Sequence, residues 1–311
     1  MKTVTKSRLG MVLGVVAILL GIPSCHTESA PPTQTPTPAA QPANWPQNLN
    51  DFRFRWSADP GFPLDTGWAV PLRAYLESLR IIYYTLDLNA GYPGLKRATP
   101  QPPEKFSSEW KKLPIVQRDL RGDIGLVDLD NPSNRFVGNE DLRVLRAEPI
   151  PSGFRAFVCD ATYRVFKETV GSRLAPVNLF PTTDAANLDR DNMAVWRIEF
   201  SDKDPRAGAS LPSPQSAQWG PLPAPRDDVF GPWFVTGSYL VSAWSGSDFP
   251  GLVSGTPEYD QRLREAQTAE ETMRQQCLAQ YPLNAEQRKA IATTVIDKPA
   301  TVEPALPGWP E

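Results

Sequence analysis

LRVLRAEPIPSGFRAFVCDATYRVFK, running from Leu142 to Lys167, is where the chain adopts a period of two. Leu142–Ala147 and Phe154–Lys167 read as strands, and Pro149 to Gly153 supplies the turn between them. Two alternating runs joined by such a turn predict an antiparallel hairpin. On the longer run Phe157, Cys159, Ala161, Tyr163 and Val165 share one face, while Ala156, Val158, Asp160, Thr162 and Arg164 share the other. Downstream, Ala194–Phe200 carries Trp196, Ile198 and Phe200 on alternate positions, and Trp233–Val241 does the same with Val235, Tyr239 and Val241.

Upstream, the period is helical. Leu72, Tyr75, Leu76, Leu79, Ile82, Tyr83 and Leu86 make one stripe of an amphipathic helix over residues 69–88, with Arg73, Glu77, Ser78 and Arg80 opposite. Pro71 and Gly91 punctuate it. A shorter helix is expected over Glu104–Leu113. Thr256 as N-cap, Pro257 at the first position and Glu258 in the first turn open a last long helix that runs to about Ala279 before Pro282. A short helix over Ala285–Ile296 follows. The expected class is therefore α+β: N-terminal helices packed on a curved antiparallel sheet of about four strands, plus a C-terminal helix.

Composition marks the flanks. Residues 201–230 are rich in Pro, Ser and Asp and read as a surface insertion. Residues 25–47 are Pro, Thr, Ala and Gln with few aliphatics, so they read as a semi-extended tether before a folded region at 48–298. The Thr-Pro run from Thr33 to Pro38 resembles the O-mannosylated tethers of actinobacterial lipoproteins, and an unmodified spacer is the alternative. From Pro299 the Pro-rich tail, 299–311, is expected to be disordered.

Residues 1–24 have the order of a secretory leader: Lys2, Lys6 and Arg8, then an apolar run from Leu9 to Ile22, then Ile22-Pro23-Ser24-Cys25. The cysteine after the cut resembles a bacterial lipobox, although Pro23 departs from the commoner Ala, Ser or Thr. That resemblance implies Cys25 as the lipidation site, with diacylglycerol and acyl chains such as palmitate anchoring the chain on the extracytoplasmic face of the cell membrane. Two chains suffice for stable anchoring. Plain secretion and a transmembrane anchor are the alternatives; the apolar run is short for a span.

Charge and residue counts narrow the function classes. Without residues 1–24 the chain carries 29 Lys and Arg against 35 Asp and Glu, a net charge of −6. The cations are dispersed, which argues against nucleic acid. His26, beside the anchor cysteine, is the one histidine of the chain. Ser-His-Asp, Cys-His and His-ligated zinc chemistry within the folded part are thereby excluded. With Cys25 assigned to lipid, Cys159 and Cys277 remain. In an oxidising compartment they are expected to pair and to staple the last long helix to the sheet; two reduced thiols are the alternative.

The order of helices first and long antiparallel strands with mid-strand Trp afterwards resembles the nuclear transport factor 2-like cone fold over residues 69–241. Many actinobacterial envelope proteins carry such a domain, some as lipoproteins. The resemblance implies a pocket between the long helix and the concave sheet, for which Asp160, Tyr163, Trp196 and Tyr239 are the candidate residues. Enzymes of that fold use an Asp with a Tyr or His for proton transfer. Here the histidine is missing and Asp160 has the opposite parity to Tyr163, so core aromatics with a pairing carboxylate is the better account and no catalytic residue is assigned. Two oxygen-rich loops, Asp123, Asp128, Asp130 and Asn131, and Asp184, Asp189, Asp191 and Asn192, lack a calcium-loop spacing, so no metal or cofactor is assigned. Phe230, Trp233 and Phe234 with Trp219, Trp244 and Phe249 could form a glycan or protein surface or cover the sheet end. The reading as a whole favours a membrane-anchored binding or scaffolding module with an envelope protein or glycan partner. An envelope enzyme built on carboxylates and Tyr, or a small-molecule carrier, is the alternative.

Overall fold

The computed structural model describes residues 45–122, 134–179, 187–207, 211–298 and 301–311. Residues 1–24, Cys25, most of the tether, Asp123, Asp128, Asp130, Asn131 and Asp184 lie outside the described residues. The strands are β1 (Asp51–Ser57), β2 (Phe136–Ile150), β3 (Gly153–Ala161), β4 (Val165–Glu168), β5 (Leu174–Pro176), β6 (Met193–Ser201) and β7 (Phe234–Leu240). The helices are α1 (Ala69–Thr85), α2 (Ser108–Lys112), α3 (Ile115–Arg118), α4 (Leu188–Asn192), α5 (Ser245–Asp248), α6 (Pro257–Gln280) and α7 (Ala285–Thr293).

The fold is α+β, with one curled sheet of seven strands rather than about four. The order runs β5-β4-β2-β3-β6-β7, antiparallel throughout, with β1 added parallel to β2. The β2–β3 hairpin forms around Ile150 and Gly153. The long strand expected over Phe154–Lys167 is broken between β3 and β4. Thr162 N–H donates to the Asn192 carbonyl and Val165 N–H to the Thr162 carbonyl, which turns the chain. Gly138 accommodates that turn at φ +116°, where a Cβ would lie 2.0 Å from the Arg164 carbonyl oxygen. Two strands are missing from the sequence reading: the short β5, and β1, whose Phe52, Phe54 and Trp56 are buried on alternate positions.

Both faces of the sheet are covered, which explains why β3 is buried on both parities. Phe154, Ala156, Val158, Ile198 and Phe200 pack with Leu72, Tyr75 and Leu76 of α1 in the largest apolar cluster. On the other face Phe157, Cys159, Ala161 and Val195 meet Cys277 and Leu278 of α6 and Ala292 of α7. α6 begins as expected, with Thr256 Oγ1 accepting from Tyr259 N–H at 3.3 Å and Pro257 in the first turn. Its attachment is partly polar. Arg274 donates to the Met193 carbonyl at 3.0 Å and pairs with Glu270 at 2.6 Å, and Glu270 accepts from Ser242 N–H at 2.8 Å. The Cys159–Cys277 disulfide joins β3 to α6 with Cα atoms 5.8 Å apart.

Three flanking expectations are corrected. Trp45, within the expected tether, is buried and its indole donates to the Leu49 carbonyl at 3.0 Å, so the end of that segment belongs to the core. The 201–230 segment is not all surface: Leu222, Ala224, Val229 and Phe230 are core residues. The tail is not free over 301–311. Leu306 pairs beside β1 at Arg55, Trp309 pairs with Leu222, and Trp309 is 1% exposed. Large apolar side chains in a Pro-rich segment have nowhere better to go than an existing groove. Among the described residues no helix is long and apolar enough to cross a membrane.

Candidate binding cleft

The space beneath α1, where the cone-fold resemblance places a pocket, is filled. It is filled partly by charge, since all of α1 except Leu79 and Tyr83 is buried, Arg73, Glu77 and Arg80 included. These residues were expected on the solvent face. β1, Tyr92 and Trp309 cover that face instead and supply the hydrogen bonds a buried charge requires. Glu77 accepts from Trp56 Nε1 at 2.7 Å, Tyr92 Oη at 2.7 Å and Trp309 Nε1 at 2.9 Å. Arg73 donates to the carbonyls of Leu64, Gln218, Pro307 and Gly308, and its guanidinium lies 4.1 Å from the Trp309 ring centroid. Burial pushes the Glu77 carboxyl up, against the opposing pull of Arg73 and its three donors.

One turn further, Arg80 Nε donates to Glu140 Oε1 at 2.6 Å, and Tyr84 Oη donates to Glu140 Oε2 at 2.6 Å. Trp196 Nε1 donates to Asp160 Oδ2 at 2.9 Å. The structure therefore brings Asp160 and Trp196 together under α1 and leaves Tyr163 and Tyr239 out. Tyr163 sits on the other face, donating to Asp189, which Arg288 grips at 2.8 Å through two nitrogens. Tyr239 stands across from Arg197 in the β6–β7 register. The four candidates do not line one pocket, and strand parity is the reason.

The open space lies behind the sheet. A cleft of about 510 Å³ runs between the β1–β2–β3 corner, the chain after α6 and the C-terminal segment. That volume falls in the range of small-molecule sites. Its base is the disulfide with Ala161 and Met193; Tyr281, Pro282 and Leu283 form one wall, and Glu303 and Leu306 another. Arg55, Asp141 and Arg143 line it because β1 and β2 pair in parallel register, Arg55 with Asp141 and Ser57 with Arg143, and Arg164 joins them from the turn between β3 and β4. The C-terminal wall is fixed by Asn139, which exchanges two hydrogen bonds of 2.9 Å with the Glu303 backbone.

The carboxylates of the cleft are engaged. Arg164 binds both oxygens of Asp141, at 2.9 and 2.6 Å, and reaches Glu303 Oε1 at 2.7 Å. Tyr281 Oη donates to Asp141 Oδ2 at 2.9 Å, and Arg55 holds Glu303 at 2.9 Å. Burial, then the Asp141 charge, drives the Tyr281 hydroxyl far above its ordinary range, while the hydrogen bond from Arg164 holds the Glu303 carboxyl below its own. A neutral phenol and a paired carboxylate are poor bases and poor nucleophiles near neutral pH. The arrangement is suited to holding a ligand.

The other candidates disperse. Asp189 is in the Arg288 pair, and Asn192 donates to the Leu188 carbonyl. Phe230, Phe234 and Trp244 are buried, whereas Trp219 is 65% and Phe249 41% exposed, so the aromatic run serves mainly as core. Sequence reasoning missed the cleft because its lining comes from six separated segments with no local pattern. Only the alternation in β1 offered a signal. No family model, no curated protein and no solved structure matches the chain.

Proposed function

We propose that this chain is a lipid-anchored binding module of the extracytoplasmic face, and that the cleft behind the sheet is its ligand site. The observation that carries the binding role is a cleft of about 510 Å³ whose carboxylates are already paired. The leader-like residues 1–24 and Cys25 support the anchor, and the Cys159–Cys277 bridge at the cleft base suits an oxidising compartment. The long α1 lying on the sheet supports the cone-fold resemblance in element order; the pocket that the resemblance implies is displaced to the opposite face. Tethering raises the effective concentration of the module for membrane-bound partners or ligands.

Two measurements test the reading. A Cys25→Ser protein is expected in the soluble fraction of cells; one that still partitions with membranes refutes the lipid anchor. Native mass spectrometry of the full chain taken from its envelope is expected to show a small-molecule adduct that Gln280→Trp, which adds bulk at the cleft wall, abolishes. A bare mass for the parent chain refutes the ligand role.

A further inference from the structure

We infer that the cleft takes an organic anion with an apolar body, and that Arg143 anchors its acid group; this rests on the cleft being a ligand site. The three guanidiniums of the cleft are not equivalent. Arg164 is saturated by Asp141 and Glu303, and Arg55 is held by Glu303 and by the Pro304 carbonyl at 2.8 Å. Arg143 is different. Its Nε is buried and has no hydrogen-bond acceptor among the described residues. One terminal nitrogen lies 3.5 Å from Ser57 Oγ, at the limit of a hydrogen bond. The other holds Asp59, whose side chain is 71% exposed.

A guanidinium presents its donors as a fork that matches a carboxylate or phosphate through two parallel hydrogen bonds. Arg143 holds an exposed carboxylate through Nη2 alone and leaves Nε, the second donor of that same edge, without an acceptor. Asp59 is thus a stand-in for the ligand's acid group: exchanging one anion for another leaves the charge of the cleft unchanged and fills the vacant donor. Ion pairs with so exposed a partner are weak and readily exchanged. Behind Arg143 the surface turns apolar. Arg143 pairs with Cys159 in the β2–β3 register, so its side chain shares a face with the disulfide, and Met193 and Leu283 continue that surface. An acid head on Arg143 with a hydrocarbon or ring body along the disulfide uses both halves of the cleft.

The test is calorimetric titration of the full chain with four probes: decanoate, decyl phosphate, decanol and acetate. Decanoate or decyl phosphate is expected to bind one to one, and the stronger of the two identifies the head group. Arg143→Met, which keeps the apolar stem, is expected to weaken that binding on the order of tenfold, and Arg143→Lys to recover only part of it. Arg146→Met, on the same strand but outside the cleft lining, is expected to bind as the parent does. Binding of decanol as tight as decanoate, abolished by Gln280→Trp but indifferent to Arg143, would overturn the anion assignment and leave the cleft as a ligand site. Failure of all four probes to bind, or binding indifferent to both Arg143→Met and Gln280→Trp, would overturn the proposal together with the cleft.

Discussion

Glu140 and Asp160, both fully buried, share one guanidinium: Arg80 Nε lies 2.6 Å from Glu140 and 3.7 Å from Asp160. Two ionised carboxylates against one cation would leave a net buried charge, and Asp160 Oδ1 would have no donor. A neutral Glu140 would remove the excess charge and leave Asp160 with Arg80 and Trp196. Burial is the main cause that pushes the Glu140 carboxyl well above the ordinary range; Arg80 opposes it and Asp160 reinforces it. Tyr83, Tyr84 and Trp196 complete the shell and carry no compensating cation.

The pH dependence follows. A carboxyl whose folded pKa is raised contributes stability that is fully present below its unfolded pKa and lost as pH rises through the folded value. Thermal midpoints are expected to fall as pH rises above the ordinary carboxylate range, and Glu140→Gln to flatten that limb, with Glu77 supplying what slope remains. Parent midpoints that rise over the same range would contradict the raised Glu140 carboxyl.

Removing the disulfide should cost much of the stability. Cys159 and Cys277 are 118 residues apart, and a loop of that length is worth roughly 4–5 kcal/mol in the chain-entropy model. The Cys159→Ser, Cys277→Ser pair is expected to unfold at much lower denaturant than the parent. Thiol counting on the unreduced, denatured Cys25→Ser chain should find no free thiol.

Trp309 is a core residue contributed by the tail. Trp309→Ala should destabilise by about 3–5 kcal/mol, the usual cost of emptying a buried aromatic site. It also removes one of the three donors on Glu77. A chemical denaturation curve that matches the parent's would show the tail to be dispensable.

Gly138→Ala should be poorly tolerated, because φ +116° is strained for any L side chain and the new methyl would meet the Arg164 carbonyl. A loss of about 1–3 kcal/mol is expected from backbone strain alone. Gly171→Ala, at φ +77° with open space around it, separates the conformational cost from the clash. Equal losses for the two would mean that the close approach to Arg164 contributes nothing.

What the sequence made legible was whatever its local period encodes. Leu72 to Leu86 announced α1, Thr256-Pro257 announced α6, and the alternations around Phe157 and Trp196 announced β3 and β6. The Cys159–Cys277 pair was expected from the two cysteines left once Cys25 was assigned to lipid. The role of Arg73, Glu77 and Arg80 was not legible, because a helical stripe tells which side is polar and not what will cover it. Their cover comes from Trp56, Tyr92 and Trp309, none adjacent in the chain. The cleft was hidden for the same reason: the parallel pairing of β1 with β2 brings Arg55 beside Asp141, and no turn signal connects two strands 80 residues apart.

The pairing of Leu306 beside Arg55 has a bearing on timing. A chain made from its N-terminus presents β1 early, and the segment that closes its free edge follows some 250 residues later. Until then the sheet keeps an open margin, and Arg73 and Glu77 lack the carbonyls and indole they need under cover. Such distant closure is slow compared with local folding. The nascent domain therefore stays unsealed until its last residues are made, and interruption of synthesis anywhere before Leu306 would release a sticky fragment instead of a smaller version of the protein.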